Sequence, residues 1–209
     1  MITIEIKNRF TNEVIHTFKS ETATIKDAVE NAIQNKKSLE NANLKNANLK
    51  NASLENANLK NANLENTNLD NASFENANLE NANLKNANLK NADLENTNLD
   101  NASLENANLK NANLINTNLK NADLKFANLT NADLEFANVE NADIPMYCKW
   151  AVSICGQNIQ IGCKIKPIEE WDIFFDSEKE FHTKRGTKEF KQIYAYYLGA
   201  KAYLKELNN

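Results

Sequence analysis

The chain has 209 residues, with 24 Lys and Arg against 28 Asp and Glu and a formal net charge of −4 at neutral pH. That mild acidity excludes a basic nucleic-acid surface, and the absence of a long apolar run or a charged, apolar and small-residue leader argues against a membrane span or a secretion signal. Eleven of the sixteen aromatic residues follow Met146, so composition sets a low-aromatic block between two ordinary segments.

Residues 1–36 read as a β-hairpin followed by a helix. Ile2, Ile4 and Ile6 alternate with Thr3, Glu5 and Lys7, and a polar link leads to a second extended run from Val14 to Phe18. Ile25, Ala28, Val29, Ala32 and Ile33 then follow helical spacing, with Thr24 and Asp27 suited to a capping box. The helix is expected to lie across the start of the next segment.

Residues 37–146 repeat one five-residue unit, Ala42-Asn43-Leu44-Lys45-Asn46 and near copies of it. From Leu39 to Ile144 a large apolar residue recurs at 22 positions, differing from Leu only at Phe74, Val139 and Ile144. Period five fits neither a helix at about 3.6 nor a strand at two. Short self-similar units must then stack as a solenoid, each covering its neighbour's apolar face. The central Leu and the Ala or Thr two places before it point inward, and the other three positions face water.

These units, such as Ala52-Ser53-Leu54-Glu55-Asn56 and Ala92-Asp93-Leu94-Glu95-Asn96, resemble those of the pentapeptide-repeat proteins over roughly half the chain. The resemblance implies an all-β solenoid core, a right-handed quadrilateral β-helix with four units per coil. Because an open solenoid end exposes strand edges and apolar core, the flanking segments are expected to form small α+β caps at both ends. At one strand spacing per coil, the repeat would make about 5.5 coils and a rod roughly 26 Å long. The Asn closing each unit, as at Asn46, Asn66, Asn86 and Asn106, is expected to bond from coil to coil and to tolerate tight-turn geometry. The family also implies a bacterial or phage-infected cytoplasm.

Residues 147–209 read as a second hairpin and helices that either cap the rod or mediate assembly. Trp150, Val152 and Ile154 alternate with small or polar residues, Gly156-Gln157-Asn158 offers a turn, and Ile159, Ile161 and Cys163 follow. Pro167 fits the first position of a helix carrying Ile168, Trp171, Phe174 and Phe175. The stretches Ile161-Gly162-Cys163 and Glu169-Glu170-Trp171 resemble tails of uncharacterised bacterial and phage members of the family. A final helix over 187–207 sets Phe190, Ile193, Tyr197, Ala200, Leu204 and Leu207 at heptad-like spacing, either for packing on its own chain or for a homodimer seam.

No catalytic, cofactor or metal constellation is expected. His16 and His182 are the only histidines and lack a triad or dyad context. Cys148, Cys155 and Cys163 form no Cys-x-x-Cys pair, which suits reduced thiols better than a zinc site with His182.

The charges, sorted by every twentieth residue, separate the four sides. Lys45, Glu65, Lys85, Glu105 and Lys125 alternate, as nearly do Glu40, Lys60, Glu80, Asp100, Lys120 and Glu140, whereas Lys50, Asp70, Lys90, Lys110 and Thr130 are mixed. The remaining column stacks Glu55, Glu75, Glu95 and Glu135, interrupted by Ile115, with Asp93 and Asp133 on the same side. This acidic face is a candidate protein-interaction surface. Some family members resemble duplex DNA and bind type II topoisomerases, so a DNA mimic directed at such an enzyme (gyrase) is the alternative to a plain scaffold. Six acids over about 19 Å give about 0.3 charge per Å, half the density of duplex DNA.

Ile115, Phe126, Phe136 and Met146 form a candidate cap-docking or interface patch, because each places an apolar side chain where the repeat would carry a polar one. An ice-binding Thr face is excluded, since Thr67, Thr97 and Thr117 form no continuous column.

Overall fold

The computed structural model describes residues 1–143, 152–155, 158–161, 164–177 and 188–207. They fall in two compact units, Met1–Pro145 and Met146–Asn209. Ile144, Met146, Cys148, Trp150, Cys163 and His182 lie outside the described residues, and with them the sequence expectations placed there.

The first unit opens with the hairpin β1 (Ile2–Asn8) and β2 (Val14–Ser20), paired antiparallel from Ile2↔Ser20 to Ile6↔His16, with a bulge beyond Ile6. Helix α1 (Ile25–Gln34) begins where the sequence places it. The Thr24 hydroxyl accepts the Asp27 N–H at 3.2 Å, while the Thr24 N–H donates to the Asp27 carboxylate at 2.8 Å. Its apolar stripe buries Ala28, Val29 and Ala32. His16 Nε2 lies 3.0 Å from Asn31 Oδ1 and joins β2 to α1. Strand β1 also pairs antiparallel with β3 (Ala42–Asn43), through Lys7↔Asn43 and Asn8↔Ala42. The Arg9 guanidinium reaches past this pair to donate to the Asn61 carbonyl at 3.0 Å. These contacts occupy strand edge that a bare solenoid end would expose.

From Asn43 onward the repeat forms parallel bridges between residues twenty apart. Asn43↔Asn63, Asn48↔Asn68, Ser53↔Ser73 and Asn58↔Asn78 start four bridge columns, which continue to Asp123↔Asp143. Twenty residues and four bridges per circuit make each coil four-sided. Backbone bonds join successive coils, the Leu44 N–H donating to Asn63 O and the Asn63 N–H to Ala42 O, each at 2.8 Å. Inside, Leu44 to Leu129 and Phe74 are buried, as are the alanines two places before them except the half-buried Ala47.

The corners explain the fixed Asn. Each central carbonyl accepts the N–H three residues on, as Leu44 O accepts Ala47 N–H at 3.0 Å, and the third residue of that turn has positive φ. Positive φ recurs every fifth residue from Asn41 to Asn141, nineteen times at Asn and otherwise at Phe126 and Phe136. Asn tolerates that left-handed backbone, which is strained for bulkier L-residues.

The expected corner ladder is present in part, Asn66 Nδ2 donating to Asn46 Oδ1 at 3.1 Å. A longer ladder runs one position before the central Leu. Asn68 donates to Asn48, Asn88 to Asn68, Asn108 to Asn88 and Asn128 to Asn108, at 3.1 to 3.3 Å. The same Oδ1 atoms accept the N–H two residues ahead, as Asn48 does from Lys50 at 3.3 Å. Each such Asn therefore ties its own turn and its neighbouring coil.

Thr67, Thr97 and Thr117 point inward and are at most 1% exposed. Their hydroxyls donate to Leu44 O, Phe74 O and Leu94 O at 2.8 to 3.0 Å, so none of these three is left unpaired by burial.

The second unit contains a three-stranded antiparallel sheet, β4 (Val152–Cys155), β5 (Asn158–Ile161) and β6 (Lys164–Pro167), followed by α2 (Ile168–Asp176) and α3 (Lys188–Leu207). The sequence reading stops at a hairpin and misses β6. Pro167 precedes the helix as its extended N-cap, with φ −56° and ψ 155°, and closes that strand instead of opening α2. Ile159, Ile161, Trp171, Phe175, Ile193, Tyr197 and Leu204 form one buried cluster. The heptad-spaced Ile193, Tyr197 and Leu204 are thus used within their own chain. Trp171 Nε1–H donates to Ile159 O at 2.7 Å, and Tyr197 OH to Asp172 Oδ1 at 2.7 Å. Burial raises the Tyr197 pKa, and the Asp172 carboxylate adds to the rise. At Asp172 burial acts upward, but donation from Lys201 and Tyr197 outweighs it and lowers the pKa.

Candidate interaction faces of the solenoid

Three sides of the coil pair charges between neighbouring coils. Lys45 reaches Glu65 at 3.0 Å, Lys85 reaches Glu105 at 2.7 Å, Lys60 reaches Glu80 at 3.0 Å and Lys120 reaches Glu140 at 3.0 Å. The column read as mixed also forms a pair, Lys50 with Asp70 at 2.9 Å. Hydrogen bonding from Lys50 lowers the Asp70 pKa, and that from Lys85 lowers the Glu105 pKa.

The fourth side differs. Bridges Ser53↔Ser73, Ser73↔Asp93, Asp93↔Asn113 and Asn113↔Asp133 bring the expected acidic residues into one file. Glu55, Asp93 and Glu95 are half-buried, and Glu75, Asp133 and Glu135 are exposed. Among the described residues, no Lys or Arg nitrogen lies within 4.0 Å of these six carboxylates. Neutral side-chain donors hold Glu55, Glu75, Asp93 and Glu95 instead. Asn113 Nδ2 donates to Asp93 at 3.0 Å and to Glu95 at 3.3 Å, and Asn76 donates to Glu75 at 3.2 Å. The Ser53 hydroxyl donates to Glu55 and lowers its pKa, partly opposed by burial.

Spacing alone misses how α1 extends this side. Glu30 accepts the Ser53 N–H at 2.9 Å while its carboxylate lies 3.6 Å from Lys26. A cleft of about 430 Å³ lies beside it, lined by Ile33, Lys36, Lys37, Glu55 and Asn56 among others. Only the docking of α1 brings these residues together.

The apolar candidates separate. Phe126 and Phe136 are half a coil apart in a twenty-residue circuit, which places them on opposite corners, 73% and 69% exposed. Ile115, half-buried, stands one coil below Glu135, and the Asn116 N–H donates to Glu135 O at 2.9 Å. Ile115 therefore belongs with Phe136. Lys125, beside Phe126, reaches Asp143 at 3.0 Å.

Among the described residues, no group of three or more His, Cys, Asp or Glu could hold a metal ion. Among them, no helix is long and apolar enough to cross a membrane.

A four-sided β-solenoid with one apolar residue every five, small residues inside and Asn at its corners is the architecture of a repeat protein. A pentapeptide repeat region profile matches residues 31–104, and a profile of pentapeptide repeats in eight copies matches residues 107–144. The chain belongs to the pentapeptide-repeat family.

Among solved structures, it is similar to Rfr23 from the cyanobacterium Cyanothece 51142, with 37% identity over 51% of this chain and 66% of that one, at a TM-score of 0.40. HetL, a protein involved in heterocyst differentiation regulation from Nostoc sp. strain PCC 7120, is 34% identical over 52% of this chain and 53% of its own, at 0.24. QnrB1, a plasmid-mediated fluoroquinolone resistance protein, is 17% identical over 49% of this chain and 68% of its own, at 0.26. The chain thus spans just under two thirds of Rfr23 and about half of HetL. No curated protein matches it.

Proposed function

We propose that the chain is a non-catalytic interaction scaffold, a right-handed quadrilateral rod of about 5.5 coils, capped at both ends, that presents its acidic side to a protein partner in the cytoplasm. One observation carries this reading. The other three sides contain charge pairs between coils, while Glu55, Glu75, Asp93, Glu95, Asp133 and Glu135 stack like charges without a cation within 4.0 Å among the described residues. Like charges directly opposed across strands are unfavourable, and a partner of opposite charge would relieve that repulsion.

The second reading is a DNA mimic acting on a type II topoisomerase through the same residues, favoured by the acidic file alone. Supercoiling by purified gyrase tests it against the scaffold, with the intact protein and a variant carrying Lys at positions 55, 75, 95 and 135. Inhibition by the parent that is lost in the variant and in high salt supports the mimic. For the scaffold, the readout is retention of a basic model peptide by the parent but not by the variant. Equal retention by both overturns the acidic-face reading.

A further inference from the structure

Phe136 runs against the repeat in two independent ways. Its ring is 69% exposed, and its backbone has φ 57° in a turn position where Asn is otherwise the rule. Neither property favours the folded state, since left-handed geometry strains a bulky L-residue and an exposed aromatic gains little from folding. Phe126 shares both properties, but its surroundings differ. One coil below it the corner is Asn106, and the adjacent Lys125 is bound to Asp143. At the Phe136 corner the preceding position one coil below is Ile115, the single apolar residue in the acidic column. Exposed Asp133 and Glu135 flank it.

We propose that Phe136 and Ile115 form the apolar anchor of the acidic face, and that its occupant is a basic protein segment with an apolar centre, such as an amphipathic helix rich in Lys or Arg. This rests on the acidic-face reading given above. The charge pattern selects the occupant: a neutral apolar partner would leave the flanking carboxylates uncompensated, and a purely cationic one would leave the ring in water. A buried aromatic ringed by polar contacts is the usual form of an interface hot spot. Phe126 lies on the opposite corner and takes no part.

The probe is a fluorescently labelled peptide of Leu and Lys patterned as an amphipathic helix, compared with a Gly and Lys peptide of equal charge by anisotropy. The parent should bind the Leu-containing peptide about tenfold more tightly, and Phe136→Asn or Ile115→Glu should abolish that preference. Phe126→Asn should leave it intact. Phe136→Asn should melt no lower than the parent, which separates loss of an anchor from loss of fold. Binding unchanged in Phe136→Asn, or no preference in the parent, overturns the anchor. If the four-Glu-to-Lys variant loses the peptide while Phe136→Asn keeps it, the acidic face stands and only the anchor falls. If neither variant changes binding, both readings fall.

Discussion

At the scale of single residues, the repeat is a division of labour forced by backbone geometry. Leu fills the interior, Ala lets the turns close against it, and Asn occupies nineteen corners of positive φ. Left-handed backbone costs an ordinary L-residue about 1–2 kcal/mol, and Asn less because its short amide can bond locally. Phe126→Asn should therefore raise stability by about 1 kcal/mol, seen as a higher midpoint in urea with an unchanged slope. A lower midpoint would mean that the ring is held by contacts worth more than the strain. The Asn period was legible in the sequence, as was its tolerance of tight turns. Its main ladder was not, because the column before the central Leu is chosen by the direction of side chains around each turn. Ser103 interrupts one such column, and its hydroxyl is buried without a partner.

At the scale of elements, local signals worked where a chain segment specifies its own ends. The Thr24 and Asp27 spacing foretold the start of α1, because both halves of a capping box lie within one turn. Strand β6 was missed because Lys164-Ile165-Lys166 is short and Pro167 is equally at home at a helix start or a strand end. The α3 seam left two outcomes open, and three of its residues complete a core with Trp171 from α2 and Ile159 from β5. The capping box also sets a pH dependence. Hydrogen bonds from Thr24 lower the Asp27 pKa below its ordinary value of 3.8, so the bonded carboxylate stabilises the fold above that pH. That contribution fades as pH falls through the lowered value. Thr24→Ala should lower the melting temperature at neutral pH, and the gap from the parent should narrow below about pH 4. A gap that widens in acid would show that Asp27 is not the group concerned.

At the scale of the whole molecule, two periods are superposed and they do different work. The five-residue period keeps Leu and Ala inside, and the twenty-residue circuit decides which outward residues share a side. The core should therefore tolerate any change by whole units, while the faces should survive only changes by whole circuits. Deleting residues 81–100 removes one circuit and leaves Glu55, Glu75, Asp133 and Glu135 in one file, with Ile115 still beside Phe136. Deleting residues 121–125 removes one unit and turns everything beyond it by a quarter circuit. Glu55, Glu75, Glu95 and Ile115 then lie on a different side from Asp133, Glu135 and Phe136, and Glu140 follows Ile115 in the stack. Both deletions should melt cooperatively, since solenoid stability is close to a sum over neighbouring repeats. They should part in binding, the longer deletion holding the Leu and Lys peptide within about threefold of the parent and the shorter one losing about tenfold or more. Equal binding by the two would mean that the acidic residues act singly, and a file along one side would then have no role in recognition.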